Sequence, residues 1–167
     1  MLNYNMVMLA CHYESVKVLN YLYYNVVKRS PNPIEMRKDL LRTVRETQSG
    51  IQAVHLACFF GNLEILTILH TKFKADFNVP TSAGLTGLHC AAQRLEGIVS
   101  IYYLKANQKG FNPDVADQFG ATPLHYAIMN IEENNIQALL SLGADINQKD
   151  HQGNSPLHLA IVSYVDD

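Results

Sequence analysis

Histidine recurs at positions 55, 89, 125 and 158, and cysteine stands at 11, 58 and 90. Imidazole and thiolate bind zinc, carry protons or attack carbonyls, so these seven residues are the first candidates for chemistry. His55 and Cys58 come nearest to a ligand pair, in His55-Leu56-Ala57-Cys58, but no second pair completes a four-ligand site. Carboxylates recur too, at Asp76, Asp114, Asp117, Asp145 and Asp150, each in a turn-like stretch. The chain contains no Gly-rich phosphate loop, Gly-x-Ser-x-Gly elbow or His-Glu-x-x-His pair.

The spacing of the histidines decides what they do. Their gaps are 34, 36 and 33, and glycines at 50, 84, 120 and 153 repeat the same three gaps. Two markers moving together define a repeated unit. Stacking such units holds equivalent atoms on the order of 10 Å apart, as for packed helices. A zinc ligand must come within about 2 Å of the ion, so the histidines cannot share one site. Each imidazole is expected to hydrogen-bond backbone between adjacent turns. The aspartates are expected to accept from nearby amides, and the thiols to pack as small apolar groups. No catalytic, cofactor-binding or metal-binding residue is assigned, and no enzyme is expected.

The unit that positions them is legible. Thr122-Pro123 and Ser155-Pro156 put a hydroxyl at a helix N-cap and Pro at the first helical position, where its missing N–H costs nothing. A helix of about ten residues should follow, then a loop such as Phe60-Gly61-Asn62, with Gly61 supplying a positive φ. A second amphipathic helix is marked by Ile65, Leu66 and Leu69 in one unit, and by Ile136, Leu139 and Leu140 in another. Gly143-Ala144-Asp145-Ile146-Asn147 ends it, and Asp150-His151-Gln152-Gly153 turns toward the next cap. One such unit cannot bury its own apolar face, so neighbours must stack.

Thr122-Pro123-Leu124-His125-Tyr126-Ala127 and Gly143-Ala144-Asp145-Ile146-Asn147 resemble the hallmark blocks of the ankyrin repeat, over residues 47–167. The resemblance implies an all-α solenoid of about five helix-turn-helix units that binds other proteins along its concave, hairpin side. The expected division is a degenerate repeat at 1–23, an insertion at 24–46, repeats at 47–80, 81–116 and 117–149, and a truncated repeat at 150–167. In the first unit Met8 takes the histidine slot. The half unit at the far end suggests a piece of a longer protein. Departures from the pattern are Gly87 for the helix-starting Pro, Asn135 for an apolar residue, and Glu14, Leu95 and Ile131 for the inter-helix glycine.

From Met8 to His55 the step is 47, about 14 residues more than the period. Pro31-Asn32-Pro33 breaks the chain there, and Met36, Leu40, Leu41 and Val44 then have helical spacing. Positive charge gathers in 28–45, a net +4 in a chain of net −2. Arg37, Lys38, Arg42 and Arg45 therefore form a candidate docking patch for an acidic partner or membrane surface, or simply a solvated face over a packed helix. The overall charge argues against a nucleic-acid partner. No run of apolar residues reaches the 18 that a membrane span needs. Three cysteines without paired spacing point to a reducing, cytoplasmic setting.

In the family, partner contacts fall on the turn tips and on the two residues after the alanine pair of the first helix. Carried onto this chain, the partner-binding set is Tyr13, Phe59, Phe60, Gln93, Arg94, Phe119, Met129, Asn130, His151 and Gln152. Stack stability demands no aromatics at these places, so a hot spot around Tyr13, Phe59 and Phe60 is expected, with Arg94 giving polar direction. Alternatively, Phe59 and Phe60 only cover the inserted segment. The expected function is non-catalytic protein binding. The alternatives are a regulatory or substrate-recruiting arm of a larger enzyme or membrane protein, a palmitoyltransferase for example, or a structural subunit of a large assembly.

Overall fold

In every unit after the first, the first helix begins on a cap that its own histidine completes. The helices α4 (Ala53–Phe60), α6 (Gly87–Ala92) and α8 (Pro123–Met129) follow Gln52, Thr86 and Thr122. The N–H of each of these cap residues donates to Nδ1 of the histidine three positions on, at 2.9, 3.1 and 3.0 Å. An Nδ1 that accepts carries no proton, so the proton sits on Nε2 and points outward. Nε2 of His55 then donates to the carbonyls of Val79 and Leu85 at 2.9 and 3.1 Å. That of His89 reaches Ala121 at 3.2 Å, and that of His125 reaches Asn154 at 3.2 Å. The imidazoles stand in file as struts between successive units. Ser155 and His158 repeat the cap at α10 (Pro156–Val165), with a 3.3 Å bond from the Ser155 N–H. The opening helix α1 (Met6–His12) is capped instead by Asn5, whose side chain accepts from the Met8 amide.

The computed structural model describes residues 5–41, 49–95 and 97–165, with side chains through 161. The second helices are α2 (Val16–Tyr21), α5 (Leu63–Ile68), α7 (Gly97–Asn107) and α9 (Glu133–Ser141). The first two widen into π-helical turns over Leu22–Val27 and Leu69–Phe73. Packing runs in two rows, α1 on α4 on α6 on α8 on α10, and α2 on α5 on α7 on α9. Ala10, Ala57, Ala91 and Ala127 hold one slot of the first row and are all buried, because only a small side chain lets neighbouring helices approach. Leu19, Leu66, Ile101 and Leu139 fill the core from the second row. Among the described residues there is no β-strand, and the all-α solenoid stands as expected.

Between the helix pairs, turn tips join in a chain. The Ser82 amide donates to the Ser49 carbonyl, Gln118 to Ala83, and His151 to Phe119, at 2.9–3.1 Å. Gly84 has φ +82°, and a Cβ there would lie 2.7 Å from the Gln118 nitrogen, so adjacent tips meet only where the residue lacks a side chain. The turn aspartates accept from amides as expected. Asp117 takes those of Phe119 and Ala121, and Asp150 those of Gln152 and Asn154.

Several details differ from the sequence reading. The first helices run six to eight residues rather than about ten in α4, α6 and α8. Leu140 is exposed, and the inward places of α9 go to Asn135, Ala138 and Leu139. Glu14 and Ile131 take the left-handed backbone of the missing glycine, with φ +51° and +56°, as Gly61 does at +74°. The loop at Leu95 is built otherwise. Gly97 donates its N–H to the Arg94 carbonyl, and any Cβ there would collide with the Ala91 carbonyl. The inserted helix α3 (Pro33–Leu41) starts at the expected Pro and leans Met36, Leu40 and Leu41 on the core without burying any residue fully. Val44, Arg42 and Arg45 lie outside the described residues.

Candidate protein-binding surface

The ends of α1, α4 and α6 bring an aromatic run to the surface. Tyr13 follows the last residue of α1 and is 73% exposed. The ring of His12 meets Tyr13 edge-on at 4.9 Å between centroids and meets Phe60 at 5.3 Å. Phe60 in turn meets Phe59 edge-on at 5.4 Å. The Arg94 guanidinium, two residues past α6, lies over both rings, 5.2 Å from the Phe59 centroid and 5.0 Å from that of Phe60. Edge-to-face contacts and a stacked cation suit these side chains, since ring edges are positive and ring faces negative. Phe59 and Phe60 therefore face His12 and Arg94 across the stack.

Phe59 also walls a cleft of about 250 Å³ with Ile51, Leu56, Leu85, Cys90 and Gln93. Its lining is mainly apolar, and His55 stands among the lining residues, already committed to backbone on both nitrogens. Ile51, Leu56, Leu85 and Cys90 are absent from the set read from the sequence, and two of them, Leu56 and Cys90, lie on helices. These two lie one helical turn before Phe59 and Gln93, a spacing that could have marked them.

The family models for ankyrin repeats match residues 54–102 and 96–166. The chain belongs to the ankyrin-repeat family. A yeast relative from Saccharomyces cerevisiae, named "probable 26S proteasome regulatory subunit p28", is 34% identical over 115 residues, which are 68% of this chain and 49% of that protein. The mouse B-cell lymphoma 3 protein homolog is 32% identical over 66% of this chain and 25% of its own length. The Drosophila melanogaster transient receptor potential cation channel subfamily A member 1 is 28% identical over 68% of this chain and 10% of its own. The chain thus spans half or less of the length of these relatives.

On this ankyrin stack the remaining candidates sit apart from the aromatic run. Phe119 and Met129 are 60% and 65% exposed, on the third tip and at the end of α8. His151 and Gln152 are exposed on the next tip. Gln93 and Asn130 spend their amide N–H on their own helices, donating to the His89 and Tyr126 carbonyls. Arg37 is half-buried and donates to the Pro33 carbonyl, and Lys38 reaches Glu35 at 4.0 Å. Burial raises the thiol pKa of Cys11 and Cys90 to about 12 and holds that of Cys58 well above its ordinary value, which makes all three poor nucleophiles. Among the described residues no three of His, Cys, Asp and Glu gather as a metal set.

Proposed function

We propose that this chain is a non-catalytic protein-binding module. It holds a partner segment along the hairpin side of the ankyrin stack, with Tyr13, Phe59 and Phe60 as anchors and Arg94 as the polar guide. The observation that carries the reading is the continuous line of contacts from exposed Tyr13 through half-buried His12, Phe60 and Phe59 to exposed Arg94. Folding alone gains little from the part of these rings that stays in water, whereas interfaces draw on such aromatics as anchors. The rings are held by helix ends, so a partner meets a preformed surface and little ordering is lost on this side. The setting we infer is the reducing cytoplasm, on three unpaired thiols. No described helix is long and apolar enough to cross a membrane.

The test is comparative purification with the intact chain and a Phe59→Ala/Phe60→Ala variant, followed by titration of the partner so identified. The double variant should lose ~2 kcal/mol or more of binding while keeping its fold. If the variant melts and the partner's affinity survives, the rings are structural and the reading fails.

A second reading, permanent membership of a large assembly, draws on the likeness to the yeast protein whose name is that of a proteasome regulatory subunit. Sedimentation of the native protein from its source separates the two. A fixed large particle supports membership, and a free or exchanging pool supports the module.

A further inference from the structure

A second surface forms where the inserted helix meets the end of α5. Lys28 and Lys72, far apart in the chain, both stand over the ring of Tyr24, at 5.3 and 4.8 Å from its centroid. Their ammonium groups are thus no more than about 10 Å apart. Lys72 is fixed there by a 2.5 Å bond to the Asn20 side chain, and its carbonyl accepts from Arg37 at 3.5 Å. Beside them Lys38 and Lys74 line a groove of about 300 Å³ whose other walls include Leu41, Val54 and Val79. Among the described residues the ion pair formed is Lys38 with Glu35, at 4.0 Å, while Lys28 and Lys72 engage the Tyr24 ring and Lys74 is exposed. Lys74 also holds a left-handed backbone, φ +56°, that glycine would adopt at lower cost. The backbone tolerates that strain and keeps an ammonium at the lip of the groove.

We propose that this surface is a docking site, separate from the aromatic run, for an acidic segment of a partner protein that inserts an apolar side chain between Lys38 and Lys74. Complementary charge draws the segment in, and the recess gives it a place to bury one side chain. A recess suits a peptide, which can insert one side chain, better than a bilayer, which needs a flat face.

The experiment uses the full chain and a fluorescent peptide of alternating Glu and Leu, read by anisotropy at low and physiological salt. Binding that weakens with salt is expected. Lys38→Glu/Lys74→Glu should weaken it at least ~10-fold, because like charges then face each other. Lys74→Gly should weaken it roughly threefold, the scale of one exposed ion pair, while raising the thermal midpoint by relieving the left-handed lysine. Stability and affinity then move in opposite directions, which a folding defect cannot do. Phe59→Ala/Phe60→Ala should leave peptide affinity unchanged, so this site and the aromatic one fail independently. Absence of peptide binding at low salt, or equal affinity in the reversal variant, overturns the proposal. So does charge-sensitive binding to phosphatidylserine vesicles without peptide binding, which assigns the patch to a membrane.

Discussion

Gly87 stands where the repeat asks for proline, and its neighbours explain the exchange. A Cβ at this position would lie 2.8 Å from the Cys58 sulfur and 3.2 Å from the Phe77 carbonyl, whose oxygen accepts the Gly87 N–H. Proline has no N–H to give and would crowd both. The glycine is therefore the partner of a cysteine one unit earlier. Gly87→Ala should destabilise the stack by about 1–3 kcal/mol, the cost of overpacking. Trimming Cys58→Ala should return part of that loss. Urea unfolding of both single variants and the double variant measures the coupling, and strict additivity would show that the sulfur is not the obstacle. Asn135 has a similar logic. Its amide donates to the carbonyls of Arg94, Ala92 and Ala91, at 2.6, 3.2 and 3.4 Å, and so closes the end of α6 that the unit's missing glycine leaves open.

At the scale of the element, the connections between paired helices carry most of the irregularity. Ile131 is β-branched, 68% exposed and held at φ +56°. Its side chain gains almost nothing from packing, yet its backbone bears a conformation that costs L-residues roughly 1–2 kcal/mol. Ile131→Gly should accordingly stabilise the fold by about 1 kcal/mol, less the extra freedom glycine has when unfolded. A higher urea midpoint at unchanged slope is the expected result. Glu14 is the less informative site, because its carboxylate also accepts from Asn62 and its replacement would lose that bond. Both loops follow the course that Gly61 takes, so the helix pairs impose the turn, whichever residue occupies it.

For the whole molecule, cohesion between units rests partly on neutral histidines. Burial pulls the His55 and His89 pKa values below the ordinary 6.5, against the raising effect of their backbone bonds. An unfolded chain therefore takes up protons first as the pH drops. The stability these imidazoles provide is complete above about pH 6.5 and falls away below it, toward their lowered folded values. Protonating Nδ1 would also remove the acceptor of the cap amide and set two donors facing each other. Urea midpoints between pH 7.5 and 5 should decline, and a variant with His55 and His89 both replaced by Gln should lose much of that dependence. A flat profile in the parent protein would show that the file of imidazoles does not couple to protons.

Much of this architecture was written in the chain before any folding. Repeated Gly and His at a common step define the unit, and the caps and helix stripes need only neighbours within a few residues, because hydrogen bonds at helix ends are local. The same period placed Tyr13, Phe59 and Phe60 on one side of the stack. What lay beyond reach involved approach between units. Arg94 stacks on rings that belong to the preceding unit, Lys72 joins the inserted segment's cations, Leu140 turns outward, and Gly87 yields to Cys58. Each of these depends on distances of a few ångströms between side chains remote in sequence. A period states which units adjoin, and only the packed stack states how closely.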